Sequence, residues 1–203
     1  MGIKERKERA RQEMKELILE TAKELFLKEG FKNVSIRRIA ELMEYSPATI
    51  YLYFKDKNEM LLALQNEGFE KLLQYQKPLA AIRDPWEKLH KHAQVYISFA
   101  LENPEYYDLM FIMRGPAEKI AEMKKWDAGI RSLQVLRDNV LACMETGQMK
   151  RKDADSTVFA LWALVHGIAS LIIRKRMIPL SASKSEVRAL AYKAIGAMFK
   201  IKG

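Results

Sequence analysis

Cysteine is almost missing from this chain of 203 residues: Cys143 stands alone, so no internal disulfide can form and no paired-cysteine metal site is available. Its apolar, helical surroundings predict a small buried hydrophobe in a chain suited to a reducing cytoplasm. Proline and glycine are scarce, six and nine, while Leu, Ala, Glu, Lys and Met abound. With so few breakers, an almost wholly helical, all-α fold is expected. P-loop and G-x-S-x-G patterns are missing too, and His90 and His92, two apart, face different sides of a helix rather than forming the i, i+4 pair that zinc prefers. No enzyme chemistry, metal or cofactor is therefore expected. The first fifteen residues mix Lys, Arg and Glu without an apolar core, which speaks against a secretory signal.

Long apolar runs are equally rare. The exception, residues 156–173, is followed by Arg174, Lys175 and Arg176, as a membrane span would be. It barely reaches spanning length, contains His166, Gly167 and Ser170, and stands alone, so a helix buried between layers or in a subunit interface is expected instead.

What is present is a soluble globular composition, 49% hydrophobic and 30% charged. The net charge of +9 favours polyanionic partners, but residues 1–60 carry an excess of only +2 and the remainder +7. Local placement has to locate the anion site. Arg6, Lys7, Arg9 and Arg11 lie in a charged segment, residues 1–11, expected to fray and either follow a phosphate backbone or form a solvated tail. Arg37 and Arg38 follow, then Lys55 and Lys57.

The stretch from Ser35 to Lys57 holds the densest local signal. Ile36, Ile39, Ala40 and Met43 recur at i, i+3, i+4 and i+7, giving a first helix one apolar face with Arg37, Arg38 and Glu41 outward. Ser35 is placed to cap it. Ser46-Pro47 then restarts a helix, serine as N-cap and proline at the first helical position. Two short helices joined by a tight turn make a helix-turn-helix.

The run S-I-R-R-I-A, then S-P-A-T-I-Y-L-Y-F-K-D-K-N-E-M-L, resembles the DNA-binding region of TetR-family transcriptional regulators, with Tyr51, Tyr53, Phe54, Lys57 and Glu59 in the family's order. Together with Leu17 to Phe31 the resemblance covers most of the first 65 or so residues. Trp162, His166 and Gly167 are similar to the W-x-x-x-H-G of one group of family C-terminal domains, the WHG group. The resemblance implies that Thr49, Tyr51 and Tyr53 face double-stranded DNA, that Lys57 grips a phosphate, and that Arg37 occupies a base-contacting position; Ile50 and Phe54 pack inward. Ser46, Pro47, Ala48 and Thr49 would lead into the major groove, with Arg38 nearby. The recognition helix contains no Arg, Asn or Gln, so Arg37 is the better reader of guanine and Thr49 suits a thymine methyl. Two positions depart from the family: Glu44-Tyr45 fills a turn where Gly and a small apolar residue are usual, and Tyr53 replaces the commoner histidine. A left-handed Glu44 would cost on the order of 1 kcal/mol relative to glycine.

Along the chain, helices are predicted at 12–29, closed by Gly30, and at 57–76, opened by Asp56-x-x-Glu59. Asp84-Pro85 and Asn103-Pro104, read as N-cap and N1 pairs, predict helices at 85–101 and 104–113. Gly115-Pro116 is expected to break the chain before a helix at 118–146, and Ser183-x-x-Glu186 opens the last helix. The division expected is a DNA-binding domain at 1–56 and a ligand-binding and dimerisation domain at 57–203, with no linker between the recognition helix and the fourth, so that motion of the latter reaches the DNA-binding unit.

In that second domain His92, Tyr96, Phe99, Tyr107, Met110, Met113, Trp126 and Trp162 concentrate aromatic and Met side chains where family members form an inducer pocket, joined by His166 and by Arg114 for an acidic group. Family resemblance further implies that the last two long helices pair with their copies as a four-helix bundle. Ala163, Gly167 and Ser170 on one helix, and Val187, Leu190, Ala191, Ala194, Ile195 and Met198 on the other, are the expected interface. The function expected is a homodimeric repressor, cytoplasmic and not membrane-bound, released from a palindromic operator by a small hydrophobic or aromatic effector. The alternative is a helical protein–protein interaction module whose N-terminal unit is only a scaffold.

Overall fold

The structure is a computed structural model and describes residues 2–31, 33–123, 126–150, 153–176 and 183–200. Every regular element among them is helical: α1 (Ile3–Glu29), α2 (Ile36–Leu42), α3 (Pro47–Tyr51), α4 (Lys57–Gln76), a 3-10 segment (Lys77–Ala81), α5 (Pro85–Glu102), α6 (Pro104–Phe111), α7 (Arg114–Met123), α8 (Asp127–Glu145), α9 (Ala154–Ile173) and α10 (Lys184–Lys200).

The helix starts follow from side-chain caps. Ser35 Oγ accepts the Arg38 amide at 3.2 Å, Ser46 Oγ that of Thr49 at 3.2 Å, and Asp56 Oδ1 that of Glu59 at 2.8 Å. Asp84 and Asp153 do the same for Glu87 and Ser156, each at 2.7 Å. At α10 the box is reciprocal: the Glu186 amide donates to Ser183 Oγ at 3.2 Å and the Ser183 amide to Glu186 Oε2 at 2.8 Å. Each such cap contributes roughly 1 kcal/mol.

Three expectations are corrected. The charged start does not fray: α1 begins at Ile3, with the Gly2 amide donating to Glu5 and the i, i+4 pairs Arg9–Glu13 and Gln12–Glu16 supporting its first turns. Gly115-Pro116 does not break the chain but lies in the first turn of α7, where proline loses no needed donor, and the helix expected at 118–146 is two helices, with Trp126 outside helical geometry at φ −145°, ψ 45°. Asn103 both closes α5, its Nδ2 turning back to the Phe99 carbonyl at 2.9 Å, and opens α6 as expected, its own carbonyl accepting the Tyr107 amide at 2.9 Å ahead of Pro104.

The chain groups into two compact units, the described parts of 1–67 with 108–125 and of 68–107 with 126–203. Residue 57, the expected boundary, is where α4 starts; the first unit also takes the first half of α4 and residues 108–125. In that unit Ile18, Ala22 and Phe26 of α1, Ile39 and Ala40 of α2, Ile50 of α3, and Met60 and Leu64 of α4 are buried. In the second unit α5 packs against α8, α9 and α10, burying Leu89, Ile97, Phe99, Val140, Cys143, Ala169 and Ile195. Burial raises the Cys143 thiol to about 11, so it is a hydrophobe and not a nucleophile.

Candidate nucleic-acid interface and ligand cavity

Ser46, which caps α3, also holds the Thr49 hydroxyl at 3.0 Å. Ile50 and Phe54 are fully buried beneath the helix, while Pro47, Ala48 and Tyr51 stand exposed and Thr49 and Tyr53 are half-buried. The inward and outward sides of α3 are thus the ones its sequence implies. Leu52, 71% exposed, joins this outer face and was missed; its i+4 spacing from Ala48 is the signal that points to it.

The turn before α3 is a Schellman closure of α2. The Tyr45 amide reaches the Ala40 carbonyl at 2.9 Å and Glu44 takes the left-handed conformation at φ 58°, where glycine is usual. The caps on both sides over-determine that strain.

The cations divide. Arg37 is exposed on α2, whereas Arg38 leans on Glu29 and Glu41, 3.6 Å from each. Lys57, expected to grip a phosphate, instead donates to the Phe31 carbonyl and lies 5.6 Å above the Phe26 ring; burial lowers its pKa. In this structure it is a strut joining the start of α4 to the end of α1, and Lys55 is the exposed neighbour.

In the second unit a cavity of about 30 Å³ opens along α5, α8 and α9, lined by Leu89, His92, Ala93, Tyr96, Leu136, Leu161, Trp162, Leu164 and Val165. Of the expected ligand residues only His92, Tyr96 and Trp162 reach it. Its apolar lining follows the helical rule, Leu89, His92, Ala93 and Tyr96 falling at i, i+3, i+4 and i+7; weighting aromatic and Met residues hid the aliphatic half.

His166 adjoins this wall. Its Nδ1 lies 3.2 Å from the Tyr96 hydroxyl and 3.1 Å from that of Tyr107, whose ring stacks on the imidazole. Burial first, then the Arg174 charge, lowers the His166 pKa. The other expected residues go elsewhere. Phe99 is buried edge-on to Tyr75, and Trp126 packs edge-on to Phe69 and over Gly129, where a Cβ would lie 2.0 Å from the indole. Met110, Met113 and Arg114 belong to the first unit, because the unit division passes through α6, between Tyr107 and Asp108.

Behind the cavity lies a polar cluster that sequence reading did not anticipate. His92 Nε2 is 2.9 Å from the Gln76 amide nitrogen and Nδ1 is 3.0 Å from that of Asn139, with Ser132 Oγ donating to Gln76 Oε1 at 3.4 Å. Burial pushes the His92 pKa down to about 4. The ring is neutral, so it accepts at one nitrogen and donates at the other; Asn139, which has no second bond among those described, is the amide free to present its oxygen. No charged side chain lines the cavity.

The expected dimer residues also divide. Ala163 is exposed and Gly167, Ser170, Val187, Leu190 and Ala194 are half-buried, but Ala191 and Ile195 are buried within their own subunit, where α10 packs on α5 and α9. The Met198 side chain lies outside the described residues. Phe159 and Leu171 on α9, 68% and 48% exposed, share the outer side with Ala163 and were not anticipated. Among the described residues α9 is the helix long and apolar enough to cross a membrane, with mean hydropathy 1.9; Val158, Val165 and Ala169 nevertheless pack inward.

Comparison with known proteins bears on both units. Residues 18–64 match "Bacterial regulatory proteins, tetR family" and residues 89–195 match "Tetracyclin repressor-like, C-terminal domain". The chain is similar to the "Uncharacterized HTH-type transcriptional regulator YobS" of Bacillus subtilis (strain 168), 24% identical over 159 residues and 78% of each chain. It is also similar to YuxN of the same organism, described in the same words, 26% identical over 79% of this chain but only 54% of that one. A transcriptional regulator of the TetR/AcrR family from Thermobifida fusca YX-ER1 shares the fold, with TM-score 0.66 and 21% identity over 94% of this chain and 99% of that one. From the capped helix-turn-helix to the bundle of α5, α8, α9 and α10, this chain belongs to the TetR family and is a DNA-binding transcriptional regulator.

Proposed function

We propose that this regulator is a homodimeric cytoplasmic repressor that binds a near-palindromic operator, one α3 per half-site, and leaves it when a small uncharged apolar molecule enters the cavity along α5. The observation that carries the reading is α3 itself: capped by Ser46, pinned by Ile50 and Phe54, and presenting Pro47, Ala48 and Tyr51 outward. With its hydroxyl held by Ser46, Thr49 offers its methyl to a thymine, and Arg37 reads guanine from α2. The phosphate grip passes from Lys57 to the exposed Lys55 and to backbone amides.

The effector side rests on the wall chemistry. A charged ligand would lose its hydration with no counter-charge among the lining residues, since His92 and the Tyr96 phenol are both neutral there. The cavity has room for about two waters, so an effector larger than that must displace side chains to be accommodated. His92 is bonded to Gln76, the last residue of α4, and the first residue of that same helix, Lys57, is bonded to the Phe31 carbonyl. In this reading an effector that favours a rearranged cavity also favours a different state of α4, and that shift lowers affinity for DNA. The outer side of α9, with Phe159, Ala163 and Leu171, is the surface for the second copy.

Selection of bound fragments from random genomic DNA at moderate salt, followed by sequencing, tests the reading. An enriched inverted repeat is expected; fragments without one would overturn the repressor and leave an interaction module.

A further inference from the structure

The sequence places cations in the first eleven residues, and the structure shows how they are arranged. Because α1 is helical from Ile3, each residue advances by about 100° around its axis. Lys4, Lys7, Arg11 and Lys15 then fall within about 80° of one another, at i, i+3, i+7 and i+11. Continuing the same stripe gives Ile18, Ala22 and Leu25, the buried residues that seat α1 on its unit. One line of positions is thus apolar where α1 is covered and cationic where it overhangs.

The changeover is visible at Lys15, half-buried, with Nζ 5.2 Å above the ring of Phe54, three residues beyond α3. Lys4, Lys7 and Arg11 are exposed. Glu8 flanks the stripe about 40° to one side of Lys4, while the opposite side carries Glu5, Glu13 and Glu16, with Arg9 tied to Glu13 at 2.8 Å and Gln12 to Glu16 at 2.7 Å. Glu8 borders the stripe, and Glu5, Glu13 and Glu16 lie on the side of α1 away from it.

We infer that the overhanging first three turns of α1 form a second DNA contact, in which Lys4, Lys7 and Arg11 grip phosphates outside the base pairs read by α3. This inference rests on the DNA-binding reading and extends it. The charge fits a polyanion, and Lys15, the last cation of the stripe, packs on Phe54, which is buried just after the recognition helix. Cations three and four residues apart on a helix lie about 5–6 Å from one another, close enough to engage a phosphate every one or two nucleotides of a strand. From Ile3 to Lys15 the overhang is about 18 Å long, the rise of roughly five base pairs.

The test is the salt dependence of DNA affinity for the full chain on a duplex recovered by genomic selection. Neutralising three phosphate contacts per subunit in Lys4→Ala/Lys7→Ala/Arg11→Ala should lower the slope of log K against log salt by about 2.7 per subunit and shorten the hydroxyl-radical footprint at both flanks. The base preference should stay as it was. Arg6→Ala/Arg9→Ala, on the other side of the helix, should leave slope and footprint unchanged, and Lys4→Arg/Lys7→Arg/Arg11→Lys should restore the wild-type slope. An unchanged slope in the triple variant, or an equal fall in the Arg6/Arg9 control, overturns the stripe while leaving the regulator standing. A wild-type chain that binds no duplex overturns the DNA-binding reading itself. Thermal melts separate either outcome from misfolding, since these exposed substitutions should not move the midpoint.

Discussion

The two units of this molecule keep their functional groups in opposite places. In the first, the proposed DNA contacts are exposed side chains on α2 and α3, each near a cap or a buried neighbour a few residues away. In the second, the feature is a void along α5, walled by residues that are some seventy positions apart in the chain, such as Leu89 and Trp162. A surface written by local geometry tolerates little change in its turns; a cavity written by packing can rearrange. The proposed reader is thus a surface and the proposed sensor a cavity, and four measurements probe that contrast.

The largest effect is expected on the second unit's outer surface. Phe159→Glu places a charge where a subunit would close over an aromatic ring, and sedimentation should show dimerisation weakened by about 4 kcal/mol, roughly 1,000-fold. An unchanged dimer would remove α9 from the interface.

Next comes the neutral imidazole at the cavity. The folded pKa of His92, about 4, lies below its unfolded value of about 6.5, so its unfolded form binds more protons between those values. Stability held above pH 6.5 is lost as pH falls toward 4, by roughly 3 kcal/mol in all. Denaturant titrations of the wild type and His92→Gln across that window should show the steeper acid loss in the wild type; parallel curves would mean that His92 charges without penalty.

On the first unit, Arg37→Ala should relax preference at one base pair by about 1–3 kcal/mol in a competition assay, with little change at other positions. A uniform fall in affinity across sequences would make Arg37 a phosphate contact. The smallest effect is at Glu44: glycine at φ 58° should raise the unfolding free energy by about 1 kcal/mol while leaving base preference intact. If Glu44→Gly instead changed the preferred operator, the left-handed turn would be setting the angle of α3.

Much of this architecture is legible without coordinates. Serine and aspartate caps at 35, 46, 56, 84 and 183, with few breakers elsewhere, specify helix starts to within a residue or two, because a cap and the amide it satisfies are three positions apart. The inward set Ile50 and Phe54 and the outward set Pro47, Ala48 and Tyr51 follow from the same short range. Arg9–Glu13 and Gln12–Glu16 were equally readable at i, i+4, yet the charged segment was expected to fray, since charge density weighed more there than pairing.

Other features depend on where distant segments meet. Lys57 reads as a phosphate ligand until the Phe31 carbonyl is brought beneath it, 26 residues away in sequence. Tyr107 and Met110 share one turn of α6 and still serve different units. Ala191 and Ile195 carry the same apolar character as Leu190, but burial of one side of α10 by α5 and α9 claims them for their own subunit. The amino-acid sequence by itself determined the helices, their caps and the two sides of the recognition helix, because those are settled by interactions within about one helical turn. Only the tertiary structure decided the cavity, the neutral His92 cluster and the true outer surface of α9, because desolvation and packing depend on neighbours that chain order does not reveal.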